Sequence, residues 1–217
     1  SLSFTYIFSN KRPELNSMLM PRNGYGLKIA TNFTDKNIWG DFTYNHYELD
    51  SYINKKIGQF TLYFRARYEQ ISGSPPNQET AGLVDIPTNY YVGQLILGKE
   101  HMSPRGYSDA ILGDSAFMGT TEFRSPLINL NIIEVLRIIK AGKLSFSIIS
   151  DYGKVWGSNN DEWIITAGIE SRASILIGNL PLLVYSLGIA QTIDGWSDNP
   201  NAKGVDPYIR LALVNPF

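Results

Sequence analysis

Apolar and polar residues alternate along this chain almost from end to end, the period-two signature of a sheet whose two faces differ. Leu2, Phe4, Tyr6 and Phe8 stand against Ser3, Thr5 and Ser9, so the first segment reads as a strand. After the turn-like Pro21-Arg22-Asn23-Gly24, Leu27, Ile29 and Phe33 oppose Lys28, Ala30 and Asn32. A long aromatic strand is predicted from Ile38 to Tyr52. In the next, Phe60, Leu62, Phe64, Ala66 and Tyr68 share one face, while Thr61, Tyr63, Arg65, Arg67 and Glu69 share the other. A face with three charged groups points into bulk water or into a wet lumen, and the two cases need different surroundings for the apolar side.

The alternation resumes at Ala116 to Arg124, Lys143 to Trp156, Trp163 to Ser174, Leu182 to Ile193 and Tyr208 to Phe217, making about nine long strands in all. Residues 73–112 form a long segment rich in Gly and Pro, read as a folded functional loop with a short strand at Tyr90 to Leu97. Between Leu130 and Lys140, Ile132, Leu136 and Ile139 have helical spacing and predict a short helix in a turn; the sharper reading is a helix lying in a membrane interface.

Composition narrows the classes. The chain has 217 residues, 43% hydrophobic, with a net charge of −1, enough for one substantial core and no basic field for nucleic acid. With no cysteine there is neither a disulfide framework nor a thiol nucleophile. Ser1 opens no signal-peptide pattern, so the chain reads as mature or truncated. No apolar run reaches the roughly 18–20 residues of a membrane helix. A membrane-spanning strand needs only about 9–11 residues with one apolar face, and that option survives.

Candidate chemistry is sparse. His46 and His101 lack partners at metal-ligand spacing, so no metal site is expected. Gly113-Asp114-Ser115 carries no triad geometry, and Gly24-Tyr25-Gly26 lacks the third glycine of a dinucleotide loop. No catalytic residue and no cofactor is therefore assigned. Tyr25, Trp39, Tyr68, Trp156, Trp163 and Phe217 near strand ends fit a membrane girdle or a sandwich core equally. On alternation alone the commoner soluble sandwich is favoured over the barrel.

Three ordered motifs shift that balance: Arg105-Gly106-Tyr107, then Gly119-Thr120-Thr121-Glu122-Phe123-Arg124-Ser125-Pro126-Leu127, then Ile149-Ser150-Asp151-Tyr152-Gly153-Lys154-Val155-Trp156. Their order resembles the bacterial surface antigen family, whose superfamily holds the BamA/TamA-like outer-membrane barrels and the two-partner secretion transporters. Tyr208, Ile209, Leu211 and Leu213, ending at Phe217, look like the closing strand of such a barrel. The resemblance, over residues 21–217, implies an all-β fold: an antiparallel transmembrane β-barrel. About nine strands would be the C-terminal half of a barrel of about sixteen, since bacterial single-chain barrels close with even numbers. Residues 1–217 would then be one barrel segment, its upstream periplasmic or passenger domains lying outside the sequence.

The resemblance also implies that the 73–112 loop folds into the lumen, where Arg105 meets Glu122 and Asp151. Parity is compatible: Glu122 opposes Phe123, and Asp151 opposes Ile148 and Tyr152, so both acids leave the apolar face. A guanidinium fork can satisfy two carboxylates. Gly106 would let the loop approach the wall, Tyr107 would pack beside it, and Gly153 completes the motif. With Phe217 on the periplasmic side, segments 73–112 and 194–205 would lie outside and the 53–56 and 176–181 turns inside.

The implied function is insertion or translocation of proteins in the outer membrane of a Gram-negative-type bacterium, without enzymatic activity. The implied partners are outer-membrane lipid, unfolded or nascent outer-membrane or secreted proteins, and periplasmic accessory proteins. The alternatives are a barrel that anchors or exports a fused upstream passenger, and a soluble β-sandwich that binds a ligand.

Overall fold

The computed structural model describes residues 2–10, 23–38, 41–76, 80–84, 102–107, 110–130, 134–135, 139–157, 163–177, 180–194 and 205–213. They form thirteen antiparallel strands: β1 Leu2–Ser9, β2 Gly24–Thr34, β3 Thr43–Ile57, β4 Phe60–Ser74, β5 Ala81–Val84, β6 Ala110–Gly113, β7 Ser115–Arg124, β8 Ile128–Asn129, β9 Glu134–Val135, β10 Ile139–Trp156, β11 Ile164–Ile177, β12 Leu180–Asp194 and β13 Asp206–Leu213. Nine of them run side by side in the order β1-β2-β3-β4-β7-β10-β11-β12-β13, while β8 and β9 pair with the first part of β10. Among the described residues β1 and β13 are the two ends of this path, so the sheet is open.

Sequence neighbours are sheet neighbours nearly throughout, as a meander requires. The exception is the step from β4 to β7, which spans the long loop. That loop carries its own hairpin of β5 and β6, with Leu83 bridged to Met102. The β3–β4 hairpin turns through Gly58-Gln59, with Ile57 paired to Phe60 and Gly58 at a φ of 61°. A tight two-residue turn needs such a left-handed backbone, which glycine adopts without steric cost.

Several sequence expectations need correcting. Residues 53–56 are strand, because β3 runs on to Ile57 before the glycine turn. The third strand starts at Thr43, beyond the predicted Ile38. Residues 73 and 74 belong to β4 and β7 begins at Ser115, so the loop between them runs over 75–114, two residues later than predicted. The helix predicted over 130–140 is absent among the described residues, where 134–135 and 139–140 pair with each other as strand. Val135 and Ile139, both β-branched, stand directly opposite each other in this ladder. The strand predicted at 90–97 lies outside the described residues.

Three glycines face tyrosines directly across the ladder: Gly26 and Tyr52, Gly119 and Tyr152, Gly188 and Tyr208. A methyl group placed on these glycines would lie 2.4, 1.9 and 2.4 Å from the tyrosine rings. The rings therefore lie flat over the glycines, filling the space a side chain would take and marking the register.

The two faces have inverted polarity. One carries Phe60, Phe64, Phe123, Phe146, Ile148, Ile169, Leu187, Ile189 and Ile209, all exposed; Ile148 is 63% accessible and Ile169 57%. The other, against which the loop packs, buries Arg67, Glu122, Arg124, Asp151 and Glu170. The buried apolar cluster is small and sits under the loop, where Leu83, Met102 and Tyr107 pack with Ile71, Ala116, Val155 and Ile164. On the exposed face aromatic pairs occur at two levels: Phe8 with Tyr25 and Phe60 with Phe123 near one end, Tyr68 with Trp156 and Phe117 with Trp163 near the other.

Candidate functional site

The loop tip at Arg105 is held over the middle of the sheet, where Asp151 stands opposite Thr120 on the neighbouring strand. Two residues per period place Thr120, Glu122 and Arg124 of β7 on the loop-facing side, and likewise Asp151 and Gly153 of β10. Arg105 donates to Asp151 through Nε and Nη2, at 2.8 and 2.7 Å, and its backbone N–H donates to the same carboxylate at 2.9 Å. Its Nη1 donates to Glu122 Oε1 at 2.8 Å and, more weakly, to Glu170 Oε2 at 3.4 Å. Thr120 Oγ1 also donates to Asp151, at 2.9 Å. Asp151 is 0% accessible and Arg105 4%, so these bonds form out of bulk water.

The acids are shared with two further arginines. Arg124 Nε donates to Glu122 Oε2 at 2.7 Å, and Arg172 Nη2 donates to Glu122 Oε1 at 2.7 Å. Arg172 also bonds Glu170, and Tyr208 Oη donates to Glu170 Oε2 at 2.8 Å. Three guanidinium groups thus meet three carboxylates. Burying such charges is tolerated because the set is neutral and its polar atoms are extensively bonded. Burial alone would favour loss of the Arg105 proton, but Asp151, then Glu122, outweighs it and holds the guanidinium well above its ordinary range. A permanently charged fork cannot shuttle protons; it fixes position.

Neither a scan of protein-family models nor a search of curated proteins finds a match to this chain. The site must be read from its own geometry.

Gly106, at a φ of 77°, brings the loop backbone against β12: a side-chain carbon there would lie 2.7 Å from the Ala190 carbonyl carbon. Its carbonyl accepts a bond from Thr192 Oγ1 at 3.0 Å. Tyr107 is buried in the apolar cluster beneath the loop. At Gly153 an added carbon would come within 2.5 Å of Leu83, so β5 rests on the wall where β10 lacks a side chain. Arg105, Gly106, Tyr107, Glu122, Asp151 and Gly153 are therefore brought together.

Of the described residues read as a closing strand, only Tyr208 reaches this cluster, through Glu170. Tyr208 turns toward the loop side, Ile209 is on the exposed face, and Leu211 and Leu213 stand opposite Tyr185 and Leu183 on β12. Phe217 lies outside the described residues, as do Trp39 and His101. His46 pairs with Glu69, Nε2 to Oε1 at 2.9 Å, within the charged face of β3 and β4.

Sequence reasoning missed Arg124, Glu170 and Arg172. A signal was present: Glu122-Phe123-Arg124 and Glu170-Ser171-Arg172 repeat a Glu-x-Arg pattern, and in a strand this spacing puts acid and base on one face. It did not say that the two strands are both neighbours of β10, which is what lets their charges meet.

Proposed function

We propose that this chain forms part of the wall of a transmembrane β-barrel in a bacterial outer membrane. In this reading the Arg105 loop is pinned inside the lumen, and the barrel serves insertion or translocation of other proteins. The observation that carries the reading is the inverted polarity: charged groups are buried on the loop side, while large apolar residues are exposed on the other. In water that arrangement would forfeit the main driving force of folding, and so large an apolar patch calls for an apolar neighbour. Lipid supplies one across the whole face.

The dimensions agree. Phe60 to Tyr68 spans about 26 Å along β4 at roughly 3.3 Å per residue. A strand tilt of about 40° reduces this to about 20 Å along the membrane normal, near the height of the apolar band between the aromatic girdles of such barrels. The longest connection, 75–114, lies at the end opposite the turn at 58–59, as the long outer loops of such barrels do, although the 10–23 and 125–138 connections share the end of the short turns.

Support for the transport role is the resemblance in motif order together with the position of β13, the last strand of the path among the described residues, where a further strand could add. The test is to express the full-length gene product, fractionate membranes and compare boiled with unboiled samples on a gel. Outer-membrane location and heat-modifiable migration are expected. A soluble protein with unshifted migration would overturn the reading.

A further inference from the structure

The Arg105 cluster reaches further than the loop and its two acids. Arg105 bonds Glu122 on β7, Asp151 on β10 and Glu170 on β11, and Gly106 accepts from Thr192 on β12. Glu170 is then met from the far side by Tyr208 of β13. One loop turn is thereby connected to five consecutive strands, ending on β13, the last strand of the sheet among the described residues. The Tyr208 ring has a defined seat, because Gly188 stands directly opposite and leaves room for it.

We infer that Tyr208 is a positioning residue that ties the order of edge strand β13 to the docking of the Arg105 loop. The chain of contacts is short. When Arg105 sits among the acids, Glu170 is held by Arg105 and Arg172 and presents Oε2 to the phenol. If the loop leaves, Glu170 loses one of those cations and its carboxylate is free to turn toward Arg172, which weakens the anchor of Tyr208. An edge strand paired on one side only is the element most easily loosened, since each residue has a single ladder of bonds. Loop docking would therefore set how available β13 is for exchange of partners.

The inference rests on the proposed function in treating β13 as a closing strand, but its test does not require transport. Tyr208→Phe keeps the ring in the Gly188 seat and removes only the hydroxyl. Arg105→Lys keeps the charge and loses the planar fork. Hydrogen–deuterium exchange is followed on the folded full-length protein for residues 209–213, with β2 and β3 as internal references. Tyr208→Phe is expected to speed exchange in 209–213 about tenfold, the worth of one hydrogen bond to a charged group, and to leave β2 and β3 unchanged.

Arg105→Lys is expected to speed the same amides in the otherwise native protein but to add little in the Tyr208→Phe background. The inference is overturned if Tyr208→Phe leaves β13 exchange unchanged, or if β2 and β3 accelerate equally. It is also overturned if Arg105→Lys has the same effect in both backgrounds. Failure of membrane fractionation would instead remove the barrel reading and leave this coupling to be judged on exchange alone.

Discussion

Replacing Arg105 with alanine removes the group on which three carboxylates converge, and its cost can be set against a second arginine on the same face. Asp151 has no accessible surface and receives two guanidinium bonds at 2.7 and 2.8 Å, so the variant leaves a carboxylate with reduced compensation in a site closed by the loop. Breaking a buried pair by deleting one partner costs about 3–5 kcal/mol. That corresponds to roughly two to four orders of magnitude in the docked population of the loop.

Arg67 is the comparison. It approaches Glu48 and Asp50 only to 3.9 and 3.8 Å, and both acids keep closer cations, Lys28 at 2.9 Å and Arg65 at 2.6 Å. Arg67→Ala is expected to lower stability less than Arg105→Ala, because Glu48 and Asp50 each keep a closer cation when it is removed. The assay is urea unfolding of the full-length protein in lipid vesicles, followed by loss of the compact band on unboiled gels. Arg105→Ala should lower the midpoint clearly more than Arg67→Ala, and adding Asp151→Asn should recover part of the loss by removing the stranded charge. Equal midpoints for the two single variants, or no recovery in the double, would refute the reasoning.

Gly106→Ala places a carbon 2.7 Å from the Ala190 backbone at a left-handed φ, a strain of about 1–3 kcal/mol, and should make the 75–114 segment more sensitive to limited proteolysis while β10 stays protected. Ile148→Lys tests the opposite face: Ile148 stands between Phe123 and Ile169, and a lysine there should cost about 2–4 kcal/mol of stability in a bilayer. In a soluble sheet the same exposed position would accept lysine with little change, so a wild-type midpoint in vesicles would count against lipid contact.

Much of the fold was legible because one face of nearly every strand is apolar, and a period of two survives whether that face meets protein or lipid. Strand ends were less so. Asn54-Lys55-Lys56 reads as a polar turn, yet these residues continue the ladder to Ile57, since the left-handed backbone needed to reverse the chain is supplied by Gly58. Ile132, Leu136 and Ile139 fit helical spacing, but periodicity over so short a span cannot distinguish a helix from a strand awaiting an edge.

At the site, the order of Arg105, Glu122 and Asp151 was readable from motif and parity. Glu170, Arg124 and Arg172 were not singled out, because which charges meet across a sheet depends on strand order and register. Tyr208 was visible as part of a terminal strand; its contact with Glu170 depends on β11 and β13 flanking β12, a relation no local window contains.

The central claim is that the exposed apolar face meets lipid and the charged face meets a wet lumen. These 217 residues contain no cysteine, so single cysteines can be placed at will and carry a spin label. Collision accessibility would be measured in vesicles for labels at Ile148 and Ile169 on one face, and at His46 and Arg65 on the other. The account predicts high oxygen and low nickel-chelate accessibility at 148 and 169, and the reverse at 46 and 65. Water-phase accessibility at 148 and 169, or burial of all four positions within protein, would contradict it.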